Sequence, residues 1–185
     1  MIYLARHGRT SYNHEGRFQG QGDVPLDDQG RREAAELAER AATHGFAALW
    51  ASPLPRARET AEIVARRIGV PMREDRRLAE TDTGDWTDRL FAEVQAELPD
   101  HFAGWASGDP TFAFPGGESF VAQADRVMAA LADVERGPLP ALVVCHGMTI
   151  RLALARREGT DGPAVQHVAN GALVALAGAR APGGS

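Results

Sequence analysis

Cysteine is almost absent from this sequence: Cys145 is the only one among 185 residues. A lone thiol cannot close an internal disulfide, so no cross-linked framework holds the fold. Long apolar runs are missing too, and nothing approaches the ~20 apolar residues of a membrane span. The opening MIYLARHGRT offers too short an apolar stretch before Ala5 and Arg6 for a signal peptide. No Lys/Arg run or basic stripe stands out, and the formal net charge of −5 argues against a nucleic-acid binder. The expectation from these absences is a soluble, cytoplasmic protein with neither membrane nor nucleic acid as partner. The acidic balance does not exclude an anionic substrate, because a few arginines can set the sign of the field in one cleft.

What is present is the composition of an ordinary globular chain, 44% hydrophobic and 24% charged, and its length suits one domain with a sizeable core. Ile2–Ala5 reads as a short buried strand that stops at Arg6-His7-Gly8, before a polar, Gly-rich stretch. Asp27 or Asp28 suits the N-cap of a helix carrying Leu37, Ala38 and Ala41, with Gly45 at its C′ position. Phe46–Ala51 reads as a strand, and Pro53-Leu54-Pro55 opens a helix stopped by Gly69 and Pro71. An extended piece ends at Leu78–Glu80, and helical patches lie within Asp88–Leu98 and near Phe102–Trp105. Phe114-Pro115-Gly116-Gly117 signals a loop. Glu118–Arg136 reads as a helix, Ala141–Cys145 as the clearest strand, Met148–Arg157 as a helix and Gly171–Leu176 as a last strand. This alternation predicts an α/β fold, a three-layer sandwich with a mostly parallel central sheet flanked by helices. Residues 1–180 form one domain on this reading, with Ala181–Ser185 a disordered tail.

Three strand ends carry unusual residues: Arg6-His7-Gly8, Ser52 through Arg56, and Cys145-His146-Gly147. In open α/β sheets, ligands bind outside the carboxyl ends of the strands. If these strands are parallel neighbours, two histidines and two arginines converge on one cleft. The planar guanidinium fork fits phosphate oxygens. Imidazole is a nucleophile near neutral pH and a donor when protonated. A glycine after each histidine lets backbone or ligand approach closely. The set suits phosphoryl transfer through a histidine.

Arg6-His7-Gly8-Arg9-Thr10 followed by Asn13 resembles the opening motif of the histidine phosphatase (phosphoglycerate mutase-like) superfamily, and Gly16-Arg17-Phe18-Gln19-Gly20 with Pro25-Leu26 its first loop. Ser52-Pro53-Leu54-Pro55-Arg56-Ala57 with Thr60-Ala61 resembles its second motif. Leu78-Ala79-Glu80 with Gly84 and Trp86 is similar to the segment that holds the proton donor, Val143–Gly147 to the second histidine motif, and Asn170-Gly171 to the approach to the last strand. The resemblance implies that His7 takes the phosphoryl group while Arg6, Arg56 and His146 neutralise the charge on its oxygens. It implies that Glu80 protonates the leaving alkoxide and then activates water, so that Glu80 has to arrive protonated, a state favoured by burial or an incoming phosphate. Thr10, Asn13, Gln19, Gly20 and Gly147 become substrate contacts. The implied ligand is a small-molecule phosphate ester; no metal and no cofactor is implied, and a homodimer is compatible with this reading.

Rival readings attach to particular residues. His14, His44, His101 and His167 lack metal-ligand spacing and read as surface or core residues, and Arg58, Arg66 and Arg67 as solvated helix charges. Asp82 or Glu118 could replace Glu80 as the acid. Gly20-Gln21-Gly22 has Pro25 where a third glycine is needed, so no dinucleotide fingerprint exists. Thr87-Asp88 stands after Trp86 where the family usually has Glu-Gly, and Arg9 stands where mutases commonly have glutamate, either adding charge for an anionic substrate or forming a surface ion pair. Cys145 and Arg151 have the spacing of cysteine-dependent phosphatases, but Met148 occupies the position where those loops need glycine. A cofactor-dependent phosphoglycerate mutase is the main alternative, though the chain between the second and third motifs is short for one. A non-catalytic phosphate-binding module would lack a histidine or Arg6, and all are present.

Overall fold

Strand β4 (Ala141–Cys145) is buried at every position, and its side chains alternate between two layers. A computed structural model describes residues 1–164 and 167–177; the tail expected at Ala181–Ser185 lies outside them. Leu142 and Val144 join Ala5, Leu49 and Ala51 against α2 (Asp28–Ala41) and α3 (Pro55–Ile68). Ala141, Val143 and Cys145 face the other way, with Ile2 and Leu4, against α6 (Phe120–Glu135) and α7 (Gly147–Glu158). Each fully buried Leu, Ile or Val contributes about 1.5–3 kcal/mol, so the alternation itself holds helices on both faces.

The sheet has five strands in the order β3-β2-β4-β1-β5. β1 is Ile2–Arg6, β2 Ala48–Ala51, β3 Met72–Glu74 and β5 Leu173–Leu176. β1, β2, β3 and β4 pair in parallel, and β5 adds to β1 antiparallel. The α/β three-layer expectation therefore holds, with one antiparallel edge.

Several elements differ in extent from the sequence reading. A short helix α1 (Ser11–Glu15) lies in the polar stretch, capped at Thr10 by a reciprocal box with Asn13; it buries no residue, so it left no apolar pattern. The extended piece ends earlier than Leu78–Glu80. β3 stops at Glu74, and Asp75 caps a 3₁₀ turn over Arg76–Leu78 by accepting from the Arg77 N–H. Helix α2 takes Asp27 as N-cap and ends at Ala41, so Gly45 sits beyond its C-cap in the following turn, at φ +63°. The two helical patches are α4 (Phe91–Glu97) and α5 (Pro99–Ser107), which close a third apolar cluster around Phe18, Trp86, Phe112, Phe114 and Phe120.

Candidate active site

The register of the two central strands sets the site. Arg6 of β1 pairs with Cys145 of β4, and the His7 N–H donates to the Cys145 carbonyl at 3.0 Å. His7 and His146 therefore leave the sheet side by side, with ring centroids 5.2 Å apart. The His7 Nδ1 lies 2.7 Å from the Gly8 carbonyl oxygen. A carbonyl only accepts, so Nδ1 carries the proton and Nε2 keeps its lone pair. Burial, then the charges of Arg56 and Arg6, hold His7 well below the usual histidine range, so the ring is neutral. The loop is fixed by Gly8 N–H donating to Thr60 Oγ1 at 3.1 Å and by Asn170 Nδ2 donating to the His7 carbonyl at 3.0 Å.

Arg56 lies in the first turn of α3 and is fully buried. Its two terminal nitrogens donate to the Gly22 and Gly20 carbonyls at 3.0 and 2.7 Å. Burial lowers its pKa to about 10, with Glu80 opposing, so the guanidinium stays charged near neutrality. Arg6 donates one terminal nitrogen to the Val168 carbonyl at 2.6 Å. His146 Nε2 is 2.7 Å from Ser52 Oγ, one residue past the end of β2. Burial, then Arg56, pushes the His146 ring far below the usual range too. Among the described residues, Arg6 Nε, Arg56 Nε and His146 Nδ1 are buried without a hydrogen-bond partner. Gly147 leaves room for Arg6, since a Cβ there would come within 3.3 Å of Arg6 Nε.

Glu80 follows the 3₁₀ turn, and its backbone carbonyl accepts from Arg126 at 3.0 Å. Glu80 Oε1 lies 3.0 Å from Thr81 N, 3.2 Å from Gln123 Nε2 and 3.4 Å from Thr149 Oγ1; Oε2 lies 3.3 Å from Met148 N. Gln123 is itself fully buried on α6 and also accepts from Thr81 Oγ1. The rival carboxylates are committed elsewhere. Glu118 pairs with Arg126 at 2.6 Å, and Asp82 Oδ1 accepts from the Gly84 N–H at 3.0 Å. A cavity of about 270 Å³ opens over Arg6, His7, Arg56, Glu80 and Gly147, and Asn13, Gln19 and Gly20 line it as well.

A model of the histidine phosphatase superfamily (branch 1) matches residues 2–180. This chain belongs to the histidine phosphatase superfamily. Among curated relatives, a probable phosphoglycerate mutase, GpmB, of Salmonella paratyphi B is 38% identical over 152 residues, 80% of this chain and 70% of the relative. A mycobacterial glucosyl-3-phosphoglycerate phosphatase solved with VO3 is 32% identical with a TM-score of 0.87, covering 93% of this chain and 88% of that one. Bacillus stearothermophilus YhfR is 30% identical with a TM-score of 0.86 over the same shares.

In this member of the superfamily, two of the expected site residues stand outside the cavity lining. Thr10 is fully buried as the cap of α1, its hydroxyl held by Asn13 and Gln19 at 3.1 and 2.8 Å. His146 is fully buried beside His7. Conversely, Phe18, Phe91, Trp105, Phe114 and Met148 line the cavity with Arg151 and His167, the last read from sequence as a residue without a role. Met148 and Arg151 follow His146 on the first turns of α7, a signal the sequence did offer; Phe91 and Trp105 had none. Arg9 forms an ion pair with Asp27 at 2.8 Å and does not line the cavity. Asp88 adopts φ +69°, a conformation suited to the glycine the family usually has there. The Cys145 thiol is fully buried and its pKa is raised by burial, which removes thiolate character.

Proposed function

We propose that this chain hydrolyses a small-molecule phosphate monoester through a phosphohistidine on His7, without a metal. The observation that carries the reading is the Nδ1–H···O=C bond to Gly8, which leaves Nε2 of a neutral ring as an available nucleophile. Beside it, Arg6 Nε, Arg56 Nε and His146 Nδ1 are buried without a partner among the described residues. Ser52 Oγ accepts from the Leu54 N–H at 3.3 Å and lies 2.7 Å from His146 Nε2, and when the Ser52 hydroxyl donates to Nε2 the His146 proton is on Nδ1. Two arginines and a second histidine beside the nucleophile suit the charge on the oxygens of a transferring phosphoryl group. In the proposed cycle Nε2 forms a bond to phosphorus, the ester P–O bond breaks, and Glu80 gives its proton to the departing alkoxide. Glu80 then takes a proton from water, which cleaves the phosphohistidine to inorganic phosphate.

Relatives named as a phosphatase and as a probable mutase both fit this machinery. Hydrolysis is favoured because the segment between Arg56 and His146 is short for the covering chain a mutase needs. Brief incubation with labelled p-nitrophenyl phosphate and an alkaline quench should trap acid-labile, base-stable label on the peptide containing His7. Label on Cys145, or full activity of His7→Ala, would overturn the reading. Activity should also survive exhaustive chelation; loss with chelator and recovery with a divalent ion would remove the metal-free part. A mutase assay with phosphoglycerate run beside hydrolysis distinguishes the two outcomes for the same phosphoenzyme.

A further inference from the structure

The buried face of α6 is apolar with one exception. Phe120, Ala124, Val127, Ala130, Leu131 and Val134 enter the core, and Gln123 is buried among them with no exposure at all. A buried amide is costly unless its donors and acceptor are paired, and an apolar side chain would carry no such demand. Gln123 finds its partners around the acid of the site. Its Oε1 accepts from the Thr81 hydroxyl, and its Nε2 lies 3.2 Å from Glu80 Oε1 and 3.2 Å from Thr149 Oγ1. Thr81 and Thr149 are themselves buried.

We propose that Gln123 is a positioning residue for proton transfer: its N–H reserves Glu80 Oε1 as an acceptor, so that the proton given to the leaving alcohol is carried on Oε2. This rests on the reading that Glu80 is the general acid. The two carboxyl oxygens have unequal surroundings. Oε1 meets the Thr81 N–H at 3.0 Å as well as Gln123, whereas Oε2 has the Met148 N–H at 3.3 Å. Amide N–H groups only donate, and a protonated carboxyl oxygen keeps less capacity to accept than a bare one. The proton therefore belongs on the oxygen with fewer fixed donors. As the ester P–O bond breaks, it passes from Oε2 to the alkoxide oxygen, and Oε2 then takes one from the water that attacks phosphorus.

Neighbouring groups do not duplicate this role. Arg126 donates to the Ala79 and Glu80 carbonyls at 2.8 and 3.0 Å, which places the main chain but not the carboxyl group. The Thr149 hydroxyl has one proton, divided between the Ala79 carbonyl at 3.2 Å and Glu80 Oε1 at 3.4 Å. The amide is oriented by its surroundings. Turned end for end, it would set its oxygen against Glu80 Oε1, two acceptors facing at hydrogen-bond distance, and would leave the Thr81 hydroxyl facing donors instead of an acceptor.

The experiment takes kcat/KM for ethyl phosphate and for p-nitrophenyl phosphate on each variant and reads the alkyl-to-aryl ratio. Both values come from one preparation, so a reduced folded fraction cancels. Gln123→Met keeps the length and removes the donor, and the ratio should fall about three- to tenfold, the worth of one hydrogen bond. Gln123→Glu keeps an acceptor for the Thr81 hydroxyl but sets a second carboxyl against Oε1. Two carboxyls so close share a proton, which is drawn to the Oε1 side, and the ratio should fall toward that of Glu80→Gln. An unchanged ratio in Gln123→Met overturns the role and leaves Gln123 as packing. A ratio restored in Gln123→Glu overturns it too, since acceptance from Thr81 would then be all that matters. A wild-type ratio in Glu80→Gln, or no hydrolysis by the unsubstituted protein, overturns the acid reading itself and the Gln123 role with it. The contact is also read without turnover. In ¹H–¹⁵N spectra the Gln123 side-chain amide pair, assigned by its loss in Gln123→Met, should shift in Glu80→Gln, and unmoved signals would overturn the proposal.

Discussion

Glu80 is held by donors from three separate parts of the chain: its neighbour Thr81, Gln123 of α6, and Met148 and Thr149 of α7. Such fixing suits a group that must meet a leaving oxygen in one geometry. A general acid matters in proportion to how badly the leaving group needs a proton. Glu80→Gln should therefore lower kcat/KM toward an alkyl phosphate by ~10²–10⁴-fold and far less toward p-nitrophenyl phosphate. The parameter has to be kcat/KM, because on the proposed cycle kcat includes phosphohistidine hydrolysis, where Glu80 would act as base whatever the alcohol was. Equal losses on both substrates would reduce Glu80 to shaping the pocket. The leaving-group pattern in Asp82→Asn or Glu118→Gln, and not in Glu80→Gln, would reassign the acid.

The first turn of α2 and the loop carrying His7 are fitted to each other. Asp27 N–H donates to the Arg9 carbonyl at 3.0 Å, Arg9 N–H donates to Glu33 Oε2 at 2.8 Å, and Asp27 Oδ1 caps the helix at the Gly30 N–H at 2.7 Å. The backbones approach so closely that a Cβ on Gly8 would sit 2.1 Å from the Gly30 carbonyl oxygen, and one on Gly30 would sit 2.0 Å from the Arg9 oxygen. Backbone cannot swing aside as a side chain does. Gly30→Ala should displace the helix from the His7 loop, costing about 1–3 kcal/mol of stability as overpacking does. Urea denaturation should show a lower midpoint, and kcat/KM should fall with it. A variant with unchanged midpoint and activity would show that the junction is looser than its geometry.

Over the whole molecule, the cationic side chains are arginines only, since the sequence has no lysine. Arginine does not titrate near neutral pH, so the positive end of the cavity keeps its charge there. The histidines behave otherwise. His7 and His146 are buried neutral with folded values well below the usual range. In the unfolded chain each takes a proton near pH 6.5, so below that pH the unfolded state binds more protons than the folded one. Their stabilising contribution is present above about pH 6.5 and is lost as pH falls toward the folded values. The limiting slope is about 1.4 kcal/mol per pH unit for each histidine. Urea midpoints measured at pH 7, 6 and 5 should decline, and His7→Gln should flatten the decline by up to half. A midpoint constant across this range would contradict the burial of both rings as neutral groups.

The sequence by itself determined the layer pattern and the strand-end residues. Apolar alternation in Ala141–Cys145 and helix-spaced alanines and leucines are local patterns, and Arg6-His7-Gly8 and Cys145-His146-Gly147 are contiguous, so no tertiary knowledge was needed to single them out. Short-range signals failed where burial gave no pattern, as in α1, which has no buried residue, or where an Asp cap overrode an extended run, as at Asp75. The tertiary structure alone decided that the Gly8 carbonyl selects the His7 tautomer, that Thr10 caps a helix instead of facing the cavity, and that Arg9 pairs with Asp27. It also decided the apolar lining of the cavity, because Phe18, Phe91, Trp105, Phe114 and Met148 share no spacing along the chain and meet only when the helices of the third cluster pack over the strand ends. Periodicity reports what one element buries; a cavity is set by which elements meet, and that depends on contacts between residues distant in sequence.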